Sequence, residues 1–247
     1  KFCTYCIVPY TRGKQRSRKP EYILSEVKEL VKDGYQEVTL LGQNVNAYGK
    51  DLEMDYGMEQ LLEDVAKTGI ARVRFVTSHP WDFTDGMIEE SYLELYHKLK
   101  KAMPYSSITT DIIVGFPGET EEDFQDTLDV YEECKYDSAF TFIFSPRVGT
   151  PACRMQDDVS LEVKNERLHR LNEVVNRCSK IANDHYLGKV VPVLLEGHSE
   201  NNHDMLMGYT DTMKLVNVKG DPKDIGTIQN VKITDVKTWS MDGEVVK

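Results

Sequence analysis

Apolar positions over most of the chain recur by turns at helical spacing and in short continuous runs. Behind Pro20, a residue suited to a helix start, Ile23, Val27, Leu30 and Val31 form one stripe that Gly34 stops. Val38 to Leu41 is a short apolar run of the kind a buried parallel strand shows. It opens into Gly42-Gln43-Asn44. Met58, Leu61, Leu62 and Val65 make the next helical stripe, closed by Gly69. Val73 and Phe75 then alternate with Arg72 and Arg74 in a strand that ends in Thr77-Ser78-His79-Pro80. Ile108 to Val114 and Ala139 to Phe144 read as two further strands. Between them Thr120-x-x-Asp123 is a capping box, opening a helix with Phe124, Leu128 and Tyr131 on its buried face. Leu161 to Ala182 is a long helix with Leu168, Leu171, Val175, Cys178 and Ala182 turned inward.

The rhythm breaks once and changes once. Phe83 to Glu90 and Ser91 to Ala102 read as two helices with no strand between them, so the strand–helix alternation fails there. The expectation is that Glu90 and Ser91 are not natural neighbours and that a segment is missing between them. From Tyr186 the period becomes two: Val191, Val193 and Leu195 alternate, and turn-rich stretches follow at 197–204, 220–222 and 242–243. Short strands between such turns predict a small β-barrel over residues 186–247, with strands at Gly208-Tyr209-Thr210, Lys214-Leu215-Val216 and Lys237-Thr238-Trp239-Ser240.

Composition narrows the classes. The 247 residues suffice for one large domain or a medium and a small one, and 40% hydrophobic content permits a substantial core. No apolar run approaches the ~20 residues of a membrane-spanning helix. The net charge of -11 does not by itself suggest a nucleic-acid partner. Its distribution does more: Lys1, Arg12, Lys14, Arg16 and Arg18 stand together without an acidic neighbour, an electropositive mouth suited to phosphates or to the carboxylate of a cofactor. Arg147, just past the last strand of the helical region, could pair with the same groups.

Five cysteines, of which only Cys3 and Cys6 are close, argue against a disulfide framework and for a reducing compartment. Cys134, Cys153 and Cys178 lack ligand spacing and read as packing or surface residues. Cys3-Thr4-Tyr5-Cys6 places two thiolates on one tight loop, able to reach a single metal ion or cluster. The residues alone leave a redox dithiol and half a zinc site open. A lone histidine at a strand end, such as His79, is more often a hydrogen-bonded structural residue than a catalyst, but its place on the active face of the expected fold keeps it a candidate.

Taken with what surrounds them, these residues resemble the radical S-adenosylmethionine (SAM) enzymes, and within them the methylthiotransferases of the MiaB type. Cys3, Tyr5 and Cys6 match the last four positions of the signature Cys-x-x-x-Cys-x-aromatic-Cys. Pro9-Tyr10-Thr11-Arg12-Gly13 and Arg16-Ser17-Arg18 are similar to its continuation, and Asp111 to Thr120 is similar to a second hallmark. The first signature cysteine would lie two positions before Lys1. The segment from residue 186 resembles the TRAM domain, an RNA-binding barrel related in shape to OB folds.

The resemblance implies an α/β fold: a partial (β/α) radical SAM barrel over 1–182, truncated at its N-terminus, followed by the all-β TRAM barrel. It implies a [4Fe-4S] cluster held by Cys3, Cys6 and the upstream cysteine. It implies SAM bound near Tyr5, Gln43, Asn44, Ser78, Asp111 and Gly115, and a second [4Fe-4S] cluster in a domain upstream of this chain. The cluster's electron would cleave SAM to a 5′-deoxyadenosyl radical that removes hydrogen from an unreactive carbon. RNA contacts fall to Arg12, Arg16, Arg18, Arg147, Tyr209, Lys214 and Trp239, the aromatic residues by stacking. The implied reaction puts a methylthio group on C2 of isopentenyladenosine in the tRNA anticodon stem-loop, with a flavodoxin- or ferredoxin-type electron donor, in the cytoplasm and without a membrane. Leu41-Gly42-Gln43-Asn44-Val45-Asn46-Ala47-Tyr48-Gly49 and Phe142-Ile143-Phe144-Ser145-Pro146-Arg147 favour that branch. The other branches act on threonylcarbamoyladenosine in tRNA or on a ribosomal-protein aspartate. A non-catalytic RNA-binding protein with zinc on its cysteines is the competing class. This chain alone, with two of three cluster ligands, is expected to be inactive.

Overall fold

A computed structural model of the chain describes residues 4–42, 44–76, 92–104, 106–200 and 202–246. Helices α1 (Val8–Arg12) and α2 (Pro20–Lys32) precede strand β1 (Glu37–Leu41), and α3 (Met58–Ala66) leads to β2 (Arg72–Val76). Then come α4 (Tyr92–Ala102), β3 (Thr109–Val114), α5 (Glu121–Cys134), β4 (Ser138–Ile143) and α6 (Leu161–Asp184). Strands β5 (Val190–Ser199), β6 (Asn202–Thr210), β7 (Leu215–Lys219), β8 (Ile228–Val236) and β9 (Met241–Val245) complete the chain.

The helices start and stop where local chemistry directs. Pro20 occupies the first turn of α2, Lys32 its last, and Gly34 turns away with φ 90°. At α5 the Thr120 side chain accepts from the Asp123 amide at 3.1 Å, and the Asp123 carboxylate accepts from the Thr120 amide at 2.8 Å. This reciprocal cap satisfies two amides that would otherwise lack partners.

Strands β1 and β2 pair in parallel, Val38 opposite Val73, and β3 and β4 pair in parallel, Ile112 opposite Thr141. The expected partial barrel is therefore not one continuous sheet: among the described residues, its strands form two separate pairs. Each pair carries its own helical layer. Val27, Val38, Leu61, Val65 and Ile70 pack between α2, β1, α3 and β2. Val114, Phe124, Tyr131, Leu171, Val175 and Cys178 pack between β3, β4, α5 and α6. A fully buried residue such as Val65 contributes about 2 kcal/mol from the removal of apolar surface from water.

The C-terminal strands close into a barrel in the order β5-β6-β7-β9-β8 around Val193, Leu195, Leu206, Val216, Val218, Val231, Ile233 and Met241. All pairings are antiparallel except β7 with β9. Two sequence expectations fail here. Lys237–Ser240 is the turn between β8 and β9 rather than a strand, and Asp242-Gly243 lies inside β9 rather than in a turn. Gly243 belongs there because a Cβ would come within 2.5 Å of Val231 Cγ1 across the ladder. The turn expected at 197–204 is also shorter, since β5 and β6 extend to Ser199 and from Asn202.

The barrel docks onto the N-terminal ends of the parallel strands. Arg72, the first residue of β2, donates to the carbonyls of Tyr209 at 3.0 Å and Pro192 at 2.9 Å. Lys214 pairs with Asp137, immediately before β4, at 2.9 Å. The β6–β7 turn thus touches both strand pairs. Asn183, near the end of α6, donates to the carbonyls of Lys237 and Thr238 and fixes the β8–β9 turn.

Candidate functional site

The other ends of the parallel strands are bridged by the N-terminal loop. The Thr4 carbonyl accepts from the Ala152 amide, past β4, at 2.9 Å. Gly149 is close enough to the loop that a Cβ there would lie 3.7 Å from Ile7 Cδ1. Past β1, the Gly49 amide donates to Ser17 Oγ at 3.0 Å, the Ser17 amide to Asp51 at 2.7 Å, and the Tyr48 hydroxyl to the Arg18 carbonyl at 2.7 Å. The Ser17 hydrogen bonds hold the Asp51 carboxyl below the usual carboxylate range. Residues 4–18 therefore tie the mouths of both strand pairs together, with Cys6 partly exposed between the two anchors. Ligand-carrying loops at the C-terminal ends of parallel strands are the usual site geometry of this fold class.

Side chains alternate on each strand, so each pair has an outer, helix-covered face and an inner one. On β3 and β4 the outer set is Ile112, Val114, Ala139 and Ile143, together with Thr141, whose hydroxyl bonds Asn172 of α6 at 2.7 Å. The inner set is Asp111, Ile113, Phe140 and Phe142, with Asp111 opposite Phe140 and Ile113 opposite Phe142. On β1 and β2 the inner set runs from Glu37, Arg72 and Arg74 at the bottom to Leu41 and Val76 at the top. Arg74 bonds Glu37 at 2.9 Å and also reaches the Met213 sulfur, so the C-terminal barrel closes the floor of the inner face.

The turn Gly115-Phe116-Pro117-Gly118 leaves β3 at the mouth and is held from the α6 side. The Gly115 amide donates to Glu119 Oε2 at 2.8 Å. Arg167, 5% exposed, donates to the same oxygen at 2.6 Å and to the Glu119 carbonyl at 3.0 Å. The Gly118 amide donates to Asp158 at 2.7 Å. Lys164 is buried, pairs with Asp157 at 2.6 Å and stacks over Phe144 at 5.4 Å. Gly115 has φ 71°, and a Cβ on it would stand 2.4 Å from Lys164 Cγ. The glycine expected to admit a cofactor is thus required by packing against α6, and its amide is committed to Glu119.

Asn44 stands at the start of the short 3₁₀ turn Val45–Ala47 after β1, while Tyr5 (43% exposed), Asp111, Arg12, Arg16 and Arg147 reach solvent. Arg18 is paired with Glu26 on α2. Trp239, 55% exposed on the β8–β9 turn, is open to solvent, and Tyr209 is half-buried in β6. Lys214 is a correction: it is 8% exposed and bound to Asp137, so its ammonium joins the domains and does not face a phosphate. Cys3, Gln43, Ser78 and His79, and the helix expected at 83–90, lie outside the described residues. Sequence reading missed Glu119, Asp157, Lys164 and Arg167. The one local signal was two cations spaced three apart on the inward stripe of α6, a spacing that turns both to one side of a helix.

The donor chemistry fits an iron–sulfur ligand at Cys6 and at no other described cysteine with equal clarity. Burial pushes the Cys134 and Cys178 thiols up, away from the thiolate form a metal needs. Cys153 is exposed, beside Ala152 that anchors Thr4. Among the described residues no three His, Cys, Asp or Glu side chains gather around a possible metal position. No helix of the described residues is long and apolar enough to cross a membrane.

Comparison with known proteins agrees with this layout. Residues 1–90 match the radical SAM superfamily, and residues 184–246 match the TRAM domain. The whole chain aligns with proteins named tRNA-2-methylthio-N(6)-dimethylallyladenosine synthase. It is 54% identical to that of Bacillus licheniformis, 53% to that of Bacillus subtilis and 52% to that of Bacillus cytotoxicus. In each case 100% of this chain is covered but 55% of the relative, so the chain spans about half the length of these proteins.

Proposed function

Because this chain joins a radical SAM region to a TRAM domain, we propose that it is the radical-generating and RNA-binding portion of a tRNA methylthiotransferase. The whole enzyme would place a methylthio group on C2 of N6-isopentenyladenosine beside the anticodon. The observation that carries this reading is the position of Cys6, on a loop anchored to both strand pairs at their C-terminal mouth. In the whole protein, Cys3, Cys6 and a third cysteine upstream of them would hold one [4Fe-4S] cluster, and a further domain would hold a second. The cluster supplies, when bound, the electron that splits SAM and makes a carbon radical available.

The chain's own residues orient and exclude. Tyr5, Asn44, Asp111 and Gly115, with Gln43 and Ser78 from outside the described residues, are the residues that would hold the cofactor. The Glu119–Arg167 pair fixes the turn that leaves β3. Arg12, Arg16 and Arg147 offer phosphates a cationic rim, and Trp239 offers a base a stacking surface. Electrons come from a flavodoxin- or ferredoxin-type donor in the cytoplasm.

The test is incubation of the full-length, anaerobically reconstituted enzyme with SAM and three substrates: isopentenyladenosine tRNA, threonylcarbamoyladenosine tRNA and the ribosomal protein. A methylthio mass gain on the first alone is expected. Gain on another substrate reassigns the branch, and a colourless zinc protein would favour the non-catalytic class.

We also infer a missing unit between Glu90 and Ser91, with domains at 1–182 and 186–247. The alignment with the Bacillus licheniformis relative runs over 280 residues against 247 in this chain, a difference of 33. That is enough for one strand and one helix. The radical SAM match ends at residue 90. A cavity of about 370 Å³ between β3 and α5, lined by Ile112, Val130, Tyr131 and Tyr136, borders the outer side of β3. Proteolytic peptide mapping of the natural protein should find the extra residues, whereas one continuous peptide across Glu90–Ser91 would refute the unit.

A further inference from the structure

The inner face of β4 carries two aromatic side chains that nothing among the described residues covers. Phe140 is 67% exposed and Phe142 is 52% exposed, whereas Phe144, on the same strand's extension, is 5% exposed and packed edge-on against Phe116. The exposure is not a surface accident. Strand alternation sends Ala139, Thr141 and Ile143 into the α5–α6 layer and so directs Phe140 and Phe142 to the opposite side, with Ile113 beside Phe142. Exposed apolar surface of this kind on a built scaffold marks a place that something occupies.

The surroundings restrict the occupant. Below, the TRAM barrel closes the floor through Arg72, Lys214 and Met213. Above, the Cys6 loop crosses the mouth and is bonded to the segment following β4 at Ala152. The two phenyl groups therefore stand on the face between the barrel contacts and the cluster loop. Successive inner positions on a strand are ~6.6 Å apart, a span that matches a five-carbon branched chain. The wall is apolar and aromatic at Ile113, Phe140 and Phe142, with the Asp111 carboxylate opposite Phe140 as its polar group and the cations named above at the floor and rim.

We propose that Phe140 and Phe142 form the apolar wall that receives the N6-dimethylallyl group of the substrate adenosine and so select prenylated over unmodified RNA. This inference rests on the isopentenyladenosine reading given above. A branched hydrocarbon gains affinity here by leaving water, and a polar threonylcarbamoyl group would lose hydrogen bonds to water without replacement. The two residues act in substrate recognition and take no part in cofactor cleavage. Neither belongs to any of the three cores, so truncation leaves the fold in place.

The experiment measures binding of anticodon stem-loop RNA, with and without the dimethylallyl group on its adenosine, to the full-length reconstituted enzyme by fluorescence anisotropy. Wild type is expected to prefer the prenylated RNA about tenfold or more, the discrimination a few buried methyl or methylene groups provide. Phe140→Ala combined with Phe142→Ala should abolish the preference while leaving affinity for unmodified RNA and the thermal midpoint unchanged, and Phe142→Leu should retain most of it. If wild type shows no preference, the isopentenyladenosine reading fails and this inference with it. If wild type discriminates and the double variant does so equally, the reading stands and the wall lies elsewhere, the face being covered by another part of the chain.

Discussion

Cys6→Ser in the full-length protein will remove the visible iron–sulfur absorbance of the radical SAM cluster and drop methylthiolation below detection. A serine hydroxyl is a hard, weakly acidic donor, and iron in such clusters is held by thiolate. Cys6 sits two residues past the first anchor of a loop held at both ends, by Thr4 to Ala152 and by Ser17 to Gly49 and Asp51. No neighbouring described thiol is positioned on that loop to replace it. The loop's anchors use backbone and side-chain groups other than Sγ, so the thermal midpoint of the metal-free protein should match wild type. Iron and sulfide analysis, read with absorbance, decides the matter. A Cys6→Ser protein that keeps its full iron complement and its activity would remove Cys6 from the ligand set.

The second large effect falls on stability. Arg167→Ala leaves the Glu119 carboxylate, 12% exposed, bonded to the Gly115 amide but without its cation. Removing one partner of a buried pair costs about 3 kcal/mol or somewhat more, which for a chain of this size lowers the melting midpoint by about 10 °C. Glu119→Gln should cost less, because a carboxamide oxygen can still accept from the Gly115 amide. The guanidinium also lies over the Phe124 ring at 5.6 Å, so Arg167→Lys will not restore the loss fully. Urea unfolding of the three variants gives the order: Ala lowest, then Lys, then Gln. A loss under about 1 kcal/mol for Arg167→Ala would mean that the pair is screened like a surface one.

What could be read from the chain was whatever depends on near neighbours. The stripes at Val27 and Leu30, at Leu61 and Val65 and at Phe124 and Tyr131 mark helices because 3.6-residue periodicity is local, and the Thr120–Asp123 cap is three residues long. What escaped depends on partners far along the chain. Lys214 looked like an RNA contact because its partner, Asp137, is 77 positions away. The packing need for a glycine at 115 was hidden because Lys164, which excludes any side chain there, belongs to another helix. Trp239 was placed in a strand because an aromatic residue suits one. The structure makes its segment a turn held by Asn183, where the indole is more exposed than a strand interior would allow. The separation of the described strands into two pairs had one trace in the sequence, the failure of the strand–helix alternation expected around Glu90.

The docking of the TRAM barrel has a consequence for how the two halves depend on each other. Since among the described residues β2 and β3 share no ladder, the end of β6 and the β6–β7 turn form a keystone: Tyr209 of β6 receives Arg72 from one pair while Lys214 of the turn grips Asp137 beneath the other. Excising residues 184–246 would thus loosen the vault that carries Cys6 as well as remove the surface proposed to meet RNA. A deletion experiment would then report both losses as one, whereas point changes on the exposed β8–β9 turn would leave the vault standing.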